Sequence, residues 1–187
     1  MGFFILREMV KVFKPTDRIH PIPEYPIEYS IFLGGTIENG ESEDWQTRIT
    51  RELEKRYADR TDFLLNICNP RRDSWNNNLE QSIKNKEFSD QVNWELDHIG
   101  ICDLRLFLIK EGSLSPITLM EIGFSSGRFL KSVICCHESF WRIGNVEIIS
   151  DRSEFDFFNT EEETLNRIFS IIDKHIEICK IKLNLQI

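Results

Sequence analysis

The sequence predicts a single α/β domain, a mostly parallel sheet with helices on both faces, preceded by an extended N-terminal arm. Two observations carry that reading. Four short apolar runs, at residues 29–33, 63–67, 104–109 and 132–136, lack the alternation of a half-solvated strand and suit strands covered on both sides. Between them lie stretches with apolar residues at helical spacing, as crossover helices require. With 187 residues, 41% hydrophobic and 29% charged, the chain has the composition and length of one globular domain with a real core.

The elements follow in order. Residues 8–13 form a short edge strand, and Pro15, Pro21, Pro23 and Pro26 then impose an extended arm. Residues 1–27 are thus arm and edge strand, and residues 28–187 the domain proper. The first central strand, Tyr29 to Leu33, runs into Gly34-Gly35-Thr36-Ile37-Glu38-Asn39-Gly40, where glycines permit close approach of a ligand. Ser42 is positioned to cap a helix carrying Trp45, Ile49, Leu53 and Tyr57 on one face. The second central strand, Phe63 to Ile67, ends in Asn69-Pro70-Arg71-Arg72-Asp73-Ser74-Trp75. Asn76 to Lys86 is a long polar loop or partial helix.

From Glu87 a helix carries Val92, Leu96 and Ile99 on one face, with Trp94 and Glu95 elsewhere. After the strand 104–109, Ser115 caps a further helix with Pro116 in its first turn. Gly123 and Gly127, one turn apart on that helix, can admit another backbone. Ser132 to Cys136 is a fourth strand, His137 to Val146 a connection, and Val146 to Ile149 a further strand. Asn159 or Thr160 caps a last helix through about Ile178, with Leu165, Ile168, Ile172 and Ile176 toward the sheet.

Composition excludes several functions. A net charge of −8 leaves no basic excess to neutralise phosphates, so nucleic acid is not an expected partner, although Arg71-Arg72 can serve one phosphate. No apolar run reaches membrane-spanning length and the N-terminus lacks the pattern of a secretory signal, so the expectation is a cytoplasmic protein with no membrane partner. The five cysteines, odd in number, read as free thiols in a reducing compartment. Cys135-Cys136-His137 is a poor metal site because adjacent strand residues face opposite ways. No Walker loop, G-x-G-x-x-G fingerprint or G-x-S-x-G elbow is present, so neither a metal nor an organic cofactor is expected.

In a parallel sheet the loops at the strands' carboxyl ends converge. Here they are Gly34-Gly35-Thr36, Asn69 to Asp73, the loop before Ser115, and His137 to Trp141. Glu121, a turn and a half into the helix after Ser115, is either a nucleophile or base, or an acidic residue favoured near a helix N-terminus. With Asp73, Glu95 or Asp103 nearby, paired carboxylates can cleave a glycosidic bond: one attacks the anomeric carbon and the other handles the leaving group's proton.

Five segments occur in fixed order: Ile31-Phe32-Leu33-Gly34-Gly35-Thr36-Ile37, Asn69-Pro70-Arg71-Arg72-Asp73, Trp94-Glu95, Ser115-Pro116-Ile117-Thr118-Leu119-Met120-Glu121-Ile122-Gly123, and Phe140 to Val146. Over residues 28–150 the chain resembles the nucleoside 2-deoxyribosyltransferase-like family, specifically a subgroup carrying N-P-R-R-D and S-P-I-T-L-x-E-[LI]-G. The resemblance implies a flavodoxin-like fold, a homodimer or higher homo-oligomer, and active sites completed across the subunit interface. It implies cleavage or exchange of the N-glycosidic bond of a (deoxy)nucleoside or nucleotide through a covalent glycosyl ester on Glu121. Glu95 and Asp73 would join Glu121 as catalytic groups, Glu95 contacting the base and Asp73 the sugar or base. Gly34, Gly35 and Thr36 would border the sugar or a 5′-phosphate, Ser115 would cap its helix or bind that phosphate, and Asn145 would reach a neighbouring site. Asn69, Arg72 and Trp94 would complete the substrate contacts.

The chain departs from the better-known branch at two places. Phe32 stands where that branch has a tyrosine orienting the nucleophile, and Leu114-Ser115-Pro116 where it has an acidic pair. Both changes favour a nucleotide or a modified nucleoside over a free nucleoside. They also motivate the alternative of a nucleotide-binding or sensing module of the same fold with little or no turnover.

Overall fold

The structure is a computed structural model, and it describes residues 9–17, 19, 25–40, 42–73 and 78–184. Among the described residues one parallel sheet contains six strands: β1 (Val10–Phe13), β2 (Ile27–Gly35), β3 (Phe63–Cys68), β4 (Leu104–Ile109), β5 (Ser132–Cys136) and β6 (Asp156–Phe158). Between and after them run α1 (Trp45–Tyr57), α2 (Lys86–Ile101), α3 (Pro116–Gly127), α4 (Ile143–Arg152) and α5 (Glu161–Asn184).

The spatial order is β1-β3-β2-β4-β5-β6. From β2 the chain passes to β3 on one side, then crosses back to β4 on the other. Apart from the added edge strand β1, this is the flavodoxin-like, doubly wound order, with its switch point between β2 and β4. The register there pairs Ile31 with Leu104 and Gly35 with Leu108.

The period-2 geometry of β2 separates two cores. Tyr29, Ile31 and Leu33 face α1 and α5, together with Trp45, Ile49, Leu53, Ile168 and Ile172. Phe32 faces the other layer, with Trp94 and Ile99 of α2, Ile122 of α3 and Val146 of α4. Arg105 is buried inside the otherwise apolar β4 and is satisfied by the end of α2. Its Nε donates to the Ile99 carbonyl at 2.6 Å, and its terminal nitrogens reach the Cys102 and Lys131 carbonyls. That is how a charged residue survives in a strand covered on both faces.

Several local expectations need correction. Residues 146–149 are not a strand but the middle of α4. Val146 and Ser150 are buried one turn apart and Ile148 is exposed, a helical pattern that overrides the β-favouring composition. The last strand is instead β6, three residues long and too short to stand out. Ser42 does not cap α1; Asp44 does, accepting from Thr47 N at 3.0 Å, while Ser42 Oγ donates to the Ile37 carbonyl. The buried face of α2 is Trp94, His98 and Ile99, with Val92 and Leu96 only half-buried. Thr160 does cap α5, through a reciprocal bond with Glu163, but the helix continues to Asn184 rather than ending near Ile178. Pro21, Pro23, His20, Trp75 and Asn76 lie outside the described residues.

Candidate active site

The switch point opens at the ends of β2 and β4. A Cβ on Gly34 would lie 2.7 Å from the Phe107 ring, and one on Gly35 (φ +145°) would lie 2.2 Å from the Leu108 carbonyl oxygen. The glycine pair therefore lets β2 and β4 close on each other where the chain turns out of the sheet. Thr36 follows at once: its N–H donates to Leu108 O, and its carbonyl accepts from Trp45 Nε1 at 2.9 Å.

The Thr36 hydroxyl accepts from Lys110 N at 3.1 Å and meets Ser115 Oγ at 2.7 Å and Ser113 Oγ at 3.2 Å. Ser113 and Ser115 close the triangle at 2.9 Å. These contacts fasten the β2–α1 loop to the β4–α3 loop. Ser115 also precedes α3 as expected, but its left-handed backbone (φ 43°) turns the hydroxyl to Thr36, so it forms no side-chain cap. Ser113 carried no motif in the sequence; only its contact with Thr36 reveals it.

The inward face of α3 is Thr118, Glu121, Ile122 and Ser125, the spacing of one helical face. Glu121 is thus 6% exposed, and among the described residues no donor or cation offsets its burial. Burial first, and the charge of Glu95 second, push its carboxyl up to about 8. Glu95, on α2, is also lifted by burial, an effect opposed by the Gln91 amide and by Arg72. Two carboxyls from different helices are therefore both lifted by burial, and Glu121 feels the charge of Glu95 in addition.

The remaining candidates take different positions. Asp73 is solvent-facing, its side chain 88% exposed, and pairs with Lys14 at 3.1 Å. Asn69 is buried and its Oδ1 accepts from Arg71 N at 2.9 Å, an Asx turn that shapes the loop after β3. Arg72 pairs with Glu87 at 2.9 Å. Arg71 is buried instead, its guanidinium donating to the Gly40 and Ser42 carbonyls, so it braces the loop after β2. Trp94 stacks on His98 with ring centroids 4.0 Å apart, and its Nε1 donates to Asp17 O at 2.7 Å. Asn145 is exposed on α4, beside Leu119, Ile122, Trp141 and Arg142 in a groove of about 330 Å³. Neither Tyr29 nor Tyr25 stands in for a hydroxyl at Phe32: Tyr29 packs on His175 across the sheet, and Tyr25 lies with Met9 and Leu64. Among the described residues no group of three His, Cys, Asp or Glu side chains could hold a metal ion.

A profile of the family described as nucleoside 2-deoxyribosyltransferase like matches residues 28–140, well over half of the chain. No curated protein matches the sequence. Among solved structures, a conserved protein from Enterococcus faecalis is similar, with a TM-score of 0.51 and 11% identity; the match covers 76% of this chain and 98% of that one. A CMP N-glycosidase from Clostridium botulinum matches with a TM-score of 0.46 and 17% identity, over the same shares.

Proposed function

The chain belongs to the nucleoside 2-deoxyribosyltransferase-like family, and from that premise we propose that it cleaves or exchanges the N-glycosidic bond of a nucleotide or modified nucleoside through a glycosyl ester on Glu121. The observation that carries this reading is the Glu121 carboxyl, buried with no donor or cation to offset it among the described residues and lifted further by the charge of Glu95. An uncompensated buried carboxyl costs stability, which is the signature of a group placed for chemistry.

In the reactive arrangement the pair holds one proton, which the burial of both carboxyls favours retaining. Glu121 Oε attacks C1′ as carboxylate while the C1′–N bond breaks and its electrons pass to the base. The shared proton, carried by Glu95 in the reactive arrangement, goes to the departing base. Positive charge developing on the sugar favours the ionised Glu121 that the empty site disfavours. A second base, or water, then attacks C1′; the ester bond to Glu121 breaks, freeing its carboxylate, and the nucleophile's proton passes to the Glu95 carboxylate. Gly34, Gly35 and Thr36 border the sugar, and the Thr36–Ser113–Ser115 hydroxyls meet its 5′ group. Phe32 and Ser115 offer that group neither a tyrosine hydroxyl nor a carboxylate, which favours a 5′-phosphate over a free 5′-OH. Asp73 and Asn145 sit at the periphery in one chain; Asn145 reaches the site of a second copy.

Incubating the protein with a panel of nucleosides and nucleotides and following free base by chromatography tests the reading. Base release from the parent and none from Glu121→Gln is expected. Unchanged release from that variant overturns the assignment. A new nucleoside on adding an acceptor base identifies a transferase, and free sugar or sugar phosphate a hydrolase. Thermal stabilisation by a nucleotide with no product would instead favour the binding module, for which Phe32 and Ser115 are the motivating residues.

A further inference from the structure

Gln91 lies one helical turn before Glu95 on α2, and three groups meet its side-chain amide. Arg72 Nε donates to Gln91 Oε1 at 2.5 Å, and Gln91 Nε2 donates to the Pro70 carbonyl at 3.1 Å and to Glu95 Oε1 at 2.5 Å. Arg72 can only donate and a carbonyl can only accept, so the amide has one orientation that satisfies both. A flipped amide would set N–H against N–H at Arg72 and oxygen against oxygen at Pro70.

We infer that Gln91 is a positioning residue for Glu95, its amide locked by Arg72 and Pro70 so that it presents that carboxylate with an N–H and never with an oxygen. The inference rests on the proposed Glu121–Glu95 site and adds to it a group that touches neither base nor sugar. With Oε1 of Glu95 occupied, Oε2 is the oxygen left to exchange a proton with the base. Donation to the charged form also stabilises the Glu95 carboxylate against the burial that disfavours it.

The charged groups bearing on Glu95 are Arg72 from the loop after β3, itself paired with Glu87, and Glu121 from α3. His98, on the same helix, is engaged with the Trp94 ring and carbonyl, and Phe32 from the sheet beneath carries no charge.

The test is the titration of Glu95 in protein labelled with ¹³C at the glutamate carboxyls, its signal assigned by Glu95→Gln. Gln91→Leu keeps the approximate bulk and removes the donor. The midpoint of Glu95 is expected to rise by about one pH unit, the value of a lost hydrogen bond to a carboxylate. An unmoved midpoint in a folded variant overturns the inference. Gln91→Met, equally unable to donate, serves if the leucine variant does not fold. With a substrate that the parent turns over, the acid limb of the kcat/KM profile should move to higher pH while the alkaline limb stays. A loss uniform across pH would make Gln91 merely structural and also overturns the inference. Failure of the catalytic reading is seen separately, as turnover retained in Glu121→Gln, whereas the Glu95 titration reads Gln91 directly.

Discussion

At the scale of single residues, the decisive features are a carboxyl whose burial no described residue offsets and a glutamine fixed by Arg72 and Pro70. Beside its proposed catalytic role, Glu121 carries a stability signature. Its carboxyl titrates near 8 in the fold against an ordinary 4.5, so between those values the native state binds more protons than the unfolded chain. Stability must therefore fall as pH rises through that window, the reverse of an ion-paired carboxylate. Glu121→Gln removes that dependence. Its melting temperature should gain on the parent's between pH 5 and pH 8 by about 5 °C or more, corresponding to a few kcal/mol. Parallel melting curves for the two proteins across that range would mean Glu121 is not desolvated. Neither this residue's state nor the role of Gln91 was legible in the sequence. Glu121 read equally as an acidic residue near a helix start, and the Gln91 contacts depend on Arg72 and Pro70, which approach only when α2 packs over the end of β3.

At the scale of elements, periodicity identified what was long or repetitive. The strands 104–109 and 132–136 and the buried face of α1 stand where apolar spacing put them, because strands covered on both sides and a helix with one apolar stripe leave strong patterns. Segments whose state is decided by distant contacts were misread. The Val-Glu-Ile-Ile stretch of α4 has strand-like composition but turns one face to the sheet. Ser42 and Ser115 have the residue type of caps, but both spend their hydroxyls on the loop around Thr36. The Gly34-Gly35 turn was legible as a place of close approach; what approaches within the chain is β4. Replacing Gly35 by Ala would set a Cβ 2.2 Å from the Leu108 carbonyl at a backbone angle that side chains rarely adopt. Chemical denaturation should show a loss of at least about 2 kcal/mol. A loss below a few tenths would mean that β2 and β4 part easily there.

At the scale of the whole molecule, α3 and α4 pack side by side and leave Leu114, Ile117, Met120, Trp141 and Ile148 exposed. Among the described residues, the neighbouring turns of α3 itself aside, nothing lies within 4 Å of where a Cβ would stand on Gly123 or Gly127, so those residues do not use the close approach that the glycines permit. A second copy of the chain is the proposed occupant of this face, which would carry Asn145 toward its neighbour's site. Light scattering should find the parent as a dimer or larger assembly and Ile117→Asp/Ile148→Asp as a folded monomer, with base release reduced about tenfold or more if the neighbour completes the site. A parent that is monomeric at high concentration would remove this face from the proposal. Among the described residues no helix is long and apolar enough to cross a membrane.

All three scales meet at one proposed bond, the ester between C1′ of the sugar and Glu121. Rapid acid quench of a turnover mixture, followed by mass spectrometry of the peptide containing Glu121, tests it most directly. The prediction is a glycosyl adduct on Glu121 that appears with the first equivalent of free base and is lost when acceptor or water completes the reaction. Full turnover in Glu121→Gln, or an adduct on a different residue, would contradict it.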